Sequence, residues 1–146
     1  MSNIVQGQTT AFKINLLSGL ENFAVGTPYT YNIALYTGNA TLNQDTAVYT
    51  PANEVSGTGY TAGGLPLTVS QTPTTSPNTY TAFISFADAV WTGASFTTRC
   101  ALIYNNTTNA AVAVLDFGSD KTTTAAGTFT VTFPTPTATN AIIRIS

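Results

Sequence analysis

From Tyr29 onward, apolar residues recur at every second position in short runs, each closed by glycine, proline or asparagine. Phe129, Val131 and Phe133 alternate with Thr128, Thr130 and Thr132, and Pro134 ends the run. Tyr29, Tyr31, Ile33 and Leu35 alternate with Thr30, Asn32 and Ala34 ahead of Gly38 and Asn39. A side-chain period of two is that of a strand with one covered face. The same reading predicts strands over residues 47–50, 65–69, 80–87, 89–91, 96–104, 111–117 and 141–145. Pro66 restricts its strand to an edge or a strand start. The run 80–87 is apolar on both faces, which predicts a central position, and 111–117 is the most continuously apolar. Residues 72–78 (TPTTSPN) and 105–109 (NNTTN) are predicted loops. About seven to nine short strands with turn signals between them predict an all-β fold, an antiparallel β-sandwich of jelly-roll or immunoglobulin-like type.

Residues 9–24 follow a different period. Phe12, Leu16, Leu20 and Phe23 stand at i, i+4, i+8 and i+11, one face of a helix. Thr9 or Thr10 can cap its start, and Gly19 weakens its middle. One short N-terminal amphipathic helix is therefore expected over 9–24, ending before Gly26-Thr27-Pro28. Its apolar face has two uses: as a possible interface, with Phe12, Leu16, Leu20 and Phe23 as anchors on a partner, or as packing against the chain's own sheets.

At 146 residues the chain suits a single domain, 1–146, which buries a core without a disulfide or metal staple. Threonine is the commonest residue with 30 copies, and only 7% of residues are charged, against about 25% in typical domains. Histidine is absent. That removes Ser-His-Asp and Cys-His catalysis and His-ligated zinc. One cysteine makes no internal disulfide and no four-cysteine zinc site. Lys13, Arg99, Lys121 and Arg144 are the only basic residues, too few to line a phosphate backbone, so no nucleic acid is expected as a partner. No apolar run approaches the roughly 18 residues of a membrane helix, and residues 1–10 lack a signal-peptide pattern, so no membrane partner and cytoplasmic synthesis are expected. So few charges leave two routes to solubility: a surface of Thr, Asn and Ser, or apolar faces covered by a partner or by copies of the same chain.

Several motifs resemble chemistry and are better read as structure. Asp116-Phe117-Gly118 spells the kinase metal-binding tripeptide without the rest of that signature. Gly57, Gly59, Gly63 and Gly64 are spaced like a phosphate cradle, but a strand pattern follows them where a nucleotide loop opens a helix, so they are expected to be a structural turn. Glu54, Asp88, Asp116 and Asp120 lack the spacing of a calcium loop and are expected at turns and strand ends. Cys100 is expected to be buried, on a face shared with Phe96, Leu102 and Tyr104. Asn39-Ala40-Thr41 and Asn106-Thr107-Thr108 match glycosylation acceptors and are read as turns. Tyr29, Tyr31, Tyr36, Tyr49, Tyr60, Tyr104 and Trp91 invite a carbohydrate-binding reading if exposed, and core packing if not. No catalytic, cofactor or metal residues are assigned.

The segment EVSGTGYTAGG at residues 54–64 resembles one in a family of small virion structural proteins of tailed bacteriophages. TTAFKINLLSGLENF (9–23), NIALYTGNATL (32–42), ALIYNNT (101–107), AVAVLDFGSDKT (111–122), TFTVTFP (128–134) and NAIIRI (140–145) agree in order, so the resemblance covers most of the chain. Pro66, the 72–78 segment and Cys100 depart from it. The resemblance implies a non-enzymatic accessory protein of the head or tail, located in the virion and made in the host cytoplasm. It would bind other virion proteins, such as the major capsid protein, and copies of itself as a homo-oligomer. A capsid decoration or cement protein is the favoured expectation. A tail, baseplate or fibre-associated protein and a carbohydrate-binding receptor module are the alternatives.

Overall fold

The computed structural model describes residues 3–146. In chain order these form β1 (Asn3–Ile4), β2 (Gly7–Gln8), α1 (Thr10–Leu17), β3 (Tyr31–Tyr36), β4 (Thr41–Leu42), β5 (Leu65–Leu67), β6 (Val69–Thr75), β7 (Ala82–Phe86), β8 (Ala89–Asn105), β9 (Ala111–Val131) and β10 (Ile143–Ile145). The architecture is mostly β with one short helix, as the alternating pattern predicts.

Strands β2-β9-β8-β3-β5 form a five-stranded antiparallel sheet, and β10-β7-β6 a three-stranded antiparallel one. A short parallel pair, β1-β4, completes the set. Strand β7 is central in its sheet, and β5, with Pro66, is an edge. One core cluster joins the two larger sheets: Ile33, Leu35, Ile103 and Val112 from the five-stranded sheet meet Ile84, Phe86 and Ile143 from the three-stranded sheet, with Phe12 and Phe23. A second cluster lies on the other face of the larger sheet, where Ala34, Tyr36, Cys100, Leu102, Tyr104 and Val114 pack under Ile4, Ala40 and Leu42. The middle of that sheet is thus covered on both sides. This is why β3 is buried almost throughout, where alternation predicts a single covered face.

Several boundaries differ from expectation. The helix ends at Leu17 and does not run to residue 24. Thr9 is its N-cap, accepting from the Phe12 N–H at 3.1 Å. At the other end Gly19, with φ of 73°, turns the chain; its N–H reaches the Leu16 carbonyl, and the Leu20 N–H reaches that of Asn15 at 2.8 Å. This is a Schellman stop, and Gly19 terminates the helix where its sequence reading only weakened the middle. Residues 47–50 form no strand; Val48 makes a single bridge to Ala110. The run 65–69 is divided at Thr68 between β5 and β6, which belong to different sheets, and β6 continues through Pro73 into the expected loop. The expected strand at Tyr80 starts at Ala82, because Tyr80 takes a positive φ of 54°.

The largest difference is a fusion. The four expected strands between residues 89 and 133 are two, β8 and β9, paired into one long hairpin with register shifts along it. Across the shift between Thr98 and Cys100 the face assignment does not carry through. Phe96 joins the first core cluster, while Cys100, Leu102 and Tyr104 join the second.

Candidate functional site

Two clusters of polar side chains hold loops, one around the half-buried Glu54 and one around the buried Glu21. Around Glu54, the Tyr49 and Tyr60 hydroxyls donate to its carboxylate, each at 2.6 Å, and the Gly63 N–H donates at 2.7 Å. The Gly63 carbonyl in turn accepts from the Tyr104 hydroxyl at 2.7 Å, and Tyr60 accepts from the Leu35 N–H. Burial and the facing Glu54 charge push the Tyr60 hydroxyl well above the ordinary phenol range. These three donors at Glu54 fix the loop over the sheet edge.

The turn glycines explain how closely this loop approaches. A Cβ on Gly64 would run into the Ile33 carbonyl oxygen, and one on Gly59 would lie 2.6 Å from that of Gly93. Gly57 and Gly63 belong to the same loop; Gly57 packs on Ser95, and Gly63 supplies both the N–H and the carbonyl used above.

The second polar cluster lies under the segment after α1. Glu21 is buried, and its Oε2 accepts from the Tyr31 hydroxyl at 2.8 Å and from Asn105 Nδ2 at 3.1 Å. Its Oε1 is buried without a hydrogen-bond partner. Desolvation raises the Glu21 carboxyl above its ordinary range, and hydrogen bonds from Tyr31, Asn105 and Asn15 oppose this without cancelling it. Asn105 also caps the hairpin tip, accepting from the N–H groups of Thr107 and Thr108. Glu21 therefore ties the post-helix segment to β3 and to the tip of the β8–β9 hairpin.

The remaining candidates sort as turns or core. Asp116 accepts from the Gly118 N–H at 2.9 Å and pairs with Arg99 at 3.2 Å, so the Asp116-Phe117-Gly118 motif is a hydrogen-bonded bulge within β9. Asp88 accepts from the Phe133 N–H at 3.1 Å. Cys100 is fully buried and free, and burial with the neighbouring Asp116 charge pushes its thiol up to about 12. Tyr31, Tyr36, Tyr104 and Trp91 are buried, and Tyr29, Tyr49 and Tyr60 partly so. Tyr80, 93% exposed, is the one fully presented aromatic among the described residues.

Surface chemistry concentrates instead on the outer side of α1. Of the four expected anchors, Phe12 and Phe23 are in the core of this chain, with rings 6.0 Å apart, and Leu16 packs partly against it. Leu20 is about half exposed. For Phe12 and Phe23, packing on the chain's own sheets is thus the arrangement found. Beside them stand residues that the helical-face reading did not select. Ile14 and Leu17, at i and i+3 on the opposite side of α1, are exposed, Leu17 by 90%. Val25, in the following loop, is 87% exposed. The helix is apolar on both sides: one side is used internally and the other is presented. The signal that could have separated them is Gly19, since a helix stopped there puts Leu20 beyond its face and leaves Ile14 and Leu17 without an internal use.

Compared with protein-family models, with curated proteins and with solved structures, the chain finds no match.

Proposed function

We propose that this protein is a non-enzymatic structural component of a tailed-bacteriophage particle, a β-sandwich acting as a decoration or cement protein on the capsid lattice. In this reading the five- and three-stranded sheets are the two layers of the sandwich, since they share one core cluster. The observation that carries the reading is the presented apolar side of α1 and its following loop, Ile14, Leu17, Leu20 and Val25, on a chain with only 7% charged residues. Exposed aliphatic side chains grouped beside a rigid core are the anchors of a protein-protein contact. The resemblance of residues 54–64 and 111–122 to virion proteins supplies the particle. Glu54, Asp88 and Asp116 hold backbone N–H groups of the chain itself, which fits a part that binds and does no chemistry.

The test is to map the protein in purified particles and to compare Leu17→Glu/Val25→Glu with the unaltered chain. Many copies on the shell, lost in the doubly substituted chain while its folding is unchanged, are expected. A few copies confined to the tail tip would reject decoration in favour of a tail component. Full occupancy by the substituted chain would reject the α1 face as the contact.

A further inference from the structure

Residues 18–28, between α1 and β3, form a strap without helix or strand. Its near end is fixed by the Schellman turn at Gly19. Its far end is clamped to the hairpin tip, where the Thr30 N–H donates to Thr107 Oγ1 at 3.0 Å and the Thr30 carbonyl accepts from the Asn106 N–H at 2.7 Å. Between these ends only two side chains are buried, Glu21 and Phe23, and both meet Tyr31. The Phe23 ring stacks on that of Tyr31 with centres 4.5 Å apart and lies beside Phe12 and Phe86. It also walls an apolar hollow of about 110 Å³ with Leu16, Ile84 and Ile143, so its packing on that side is incomplete.

The carboxyl pin depends on its proton. Glu21 is 7% exposed, and its Oε1 has no donor. The groups packed against the carboxyl are Tyr31 from β3, Asn105 from the hairpin tip and Asn15 from α1, and none is charged. Lys13, the charged residue of α1, is exposed. Tyr31 is the titratable neighbour, with Tyr29 near it, and burial holds its hydroxyl well above the ordinary phenol range, so it stays protonated. A carboxylate in this place leaves half its charge on a buried oxygen without a donor. The neutral carboxyl avoids that. Its proton on Oε2 is donated to Tyr31 Oη, 2.8 Å away, and the Tyr31 hydroxyl turns to the Asn22 carbonyl at 3.3 Å while still accepting from the Asn22 N–H at 3.0 Å. The neutral form thus closes a hydrogen-bond chain from Glu21 through Tyr31 to the backbone of the strap itself.

We propose that residues 18–28 are a proton-latched strap: the neutral Glu21 carboxyl holds it shut, and loss of that proton favours its opening as a unit. Opening takes Glu21 into water, draws Leu20 and Val25 away from the presented side of α1, and uncovers the slot that Phe23 fills among Phe12, Tyr31 and Phe86. Rising pH therefore dismantles the apolar face beside α1. That consequence rests on the contact reading above. The latch itself does not, and its test uses the isolated chain.

Amide exchange of the full chain, read residue by residue across the acid-to-neutral range and corrected for the intrinsic rate, is the test. The Asn22 N–H reports the closed strap, since it is bonded to Tyr31 Oη. Desolvation raises the Glu21 carboxyl while the strap is shut, and in water it is ordinary. Opening at Asn22 should therefore grow by about tenfold for each pH unit between these two values and level above the higher one. In Glu21→Gln, which stays neutral, it should be flat. Opening at Asn22 should also be about tenfold or more as frequent as at Leu102, fully buried in β8, which reports unfolding of the sheet. Equal openings at the two positions would mean that the strap leaves only with the whole fold, and would overturn the latch. The same pH slope in both chains would overturn it too. Should the glutamine chain not fold, the Glu21 carboxyl carbon shift of the unaltered protein decides: titration above the ordinary carboxyl range, in step with exchange at Asn22, is expected, and titration within that range removes the proton from the mechanism.

Discussion

The two halves of the β8–β9 hairpin are built from the same ladder and differ in almost everything else. Near the tip, residues 100–105 and 111–114 are buried throughout, between one core cluster on each face. Farther out, residues 89–99 and 116–131 alternate or are exposed, and three of the four register shifts of the hairpin fall there. The difference follows from cover. Where both faces are packed, a bulged residue would bury an unpaired N–H and carbonyl, so the ladder stays nearly regular. Where one face is wet, water satisfies the extra groups and the strand is free to bulge and curl. The covered half is a scaffold, and the open half is where the ladder bulges and curls back on itself.

The largest effect should come from the covered half. Leu102→Ala removes a fully buried side chain from the second cluster and should cost about 2–5 kcal/mol. Thr97→Ala, in the open half, removes an exposed hydroxyl that pairs with Thr122 at 2.8 Å, and should change stability by no more than about 0.5 kcal/mol. Denaturant unfolding of the two variants decides it; similar costs would erase the contrast between the halves. Cys100 sharpens the same contrast kinetically. With its thiol buried and pushed up to about 12, labelling at neutral pH should be slow in the native protein and fast once unfolded. Rapid native labelling would show that the covered half opens locally.

Glu21 extends the comparison to what the covered half holds in place, since Asn105 at its tip donates to this carboxyl. The Glu21 carboxyl is raised in the folded protein, chiefly by desolvation. Its neighbours are Tyr31, Asn105 and Asn15, and none of them is a cation. The folded state therefore favours the protonated form. The stabilisation is fully present below the unfolded carboxyl range, and is lost as pH rises from there through the higher folded value. Glu21→Gln should remove that loss. Stability measured against pH should show the variant gaining on the unaltered chain as pH rises through this window, and levelling above it. A parallel pair of curves would mean that folding does not raise the Glu21 carboxyl.

What could be read in the residues tracks the same division. In the open half, Thr128 to Phe133 alternates cleanly, and the strand is found there as far as Val131, as the end of the longer β9. In the covered half, 111–117 is continuously apolar, which fits a strand buried on both faces, but nothing local says which loop supplies the second cover. That cover comes from Ile4, Ala40, Leu42 and Tyr49, and the loop beyond is tied down where Glu54 accepts from the Gly63 N–H and the Gly63 carbonyl accepts from Tyr104, 41 residues away; such long-range pairings have no period to reveal them. The fusion of four expected strands into two was hidden for a related reason. Gly93, Gly118 and Gly127 lie between the expected strands, and each is absorbed within a bulged strand. The exposed α1 residues were visible as apolar positions, and were passed over because Gly19 was read as an interior residue and not as a stop.

The smallest expected effect tests whether the bulges of the open half carry strain. Ala125 and Ala126 both take φ of 56°, the left-handed region, and the Ala126 N–H donates to Ser95 Oγ at 3.3 Å across the hairpin. An L-residue pays roughly 1–2 kcal/mol there, which glycine avoids. Against that gain, glycine adds entropy to the unfolded chain, worth about 0.4–1 kcal/mol in the opposite direction. The two terms nearly cancel, and relief of strain is the larger, so Ala125→Gly and Ala126→Gly should each stabilise the protein by about 0.5 kcal/mol. The same substitutions at Ala101 or Ala113, buried and regular in the covered half, should destabilise, because strain is absent there and a packed methyl is lost. Chemical denaturation of the four variants reads the sign directly. If the outer glycines also destabilise, the alanine methyls at this bulge are making contacts worth more than their strain.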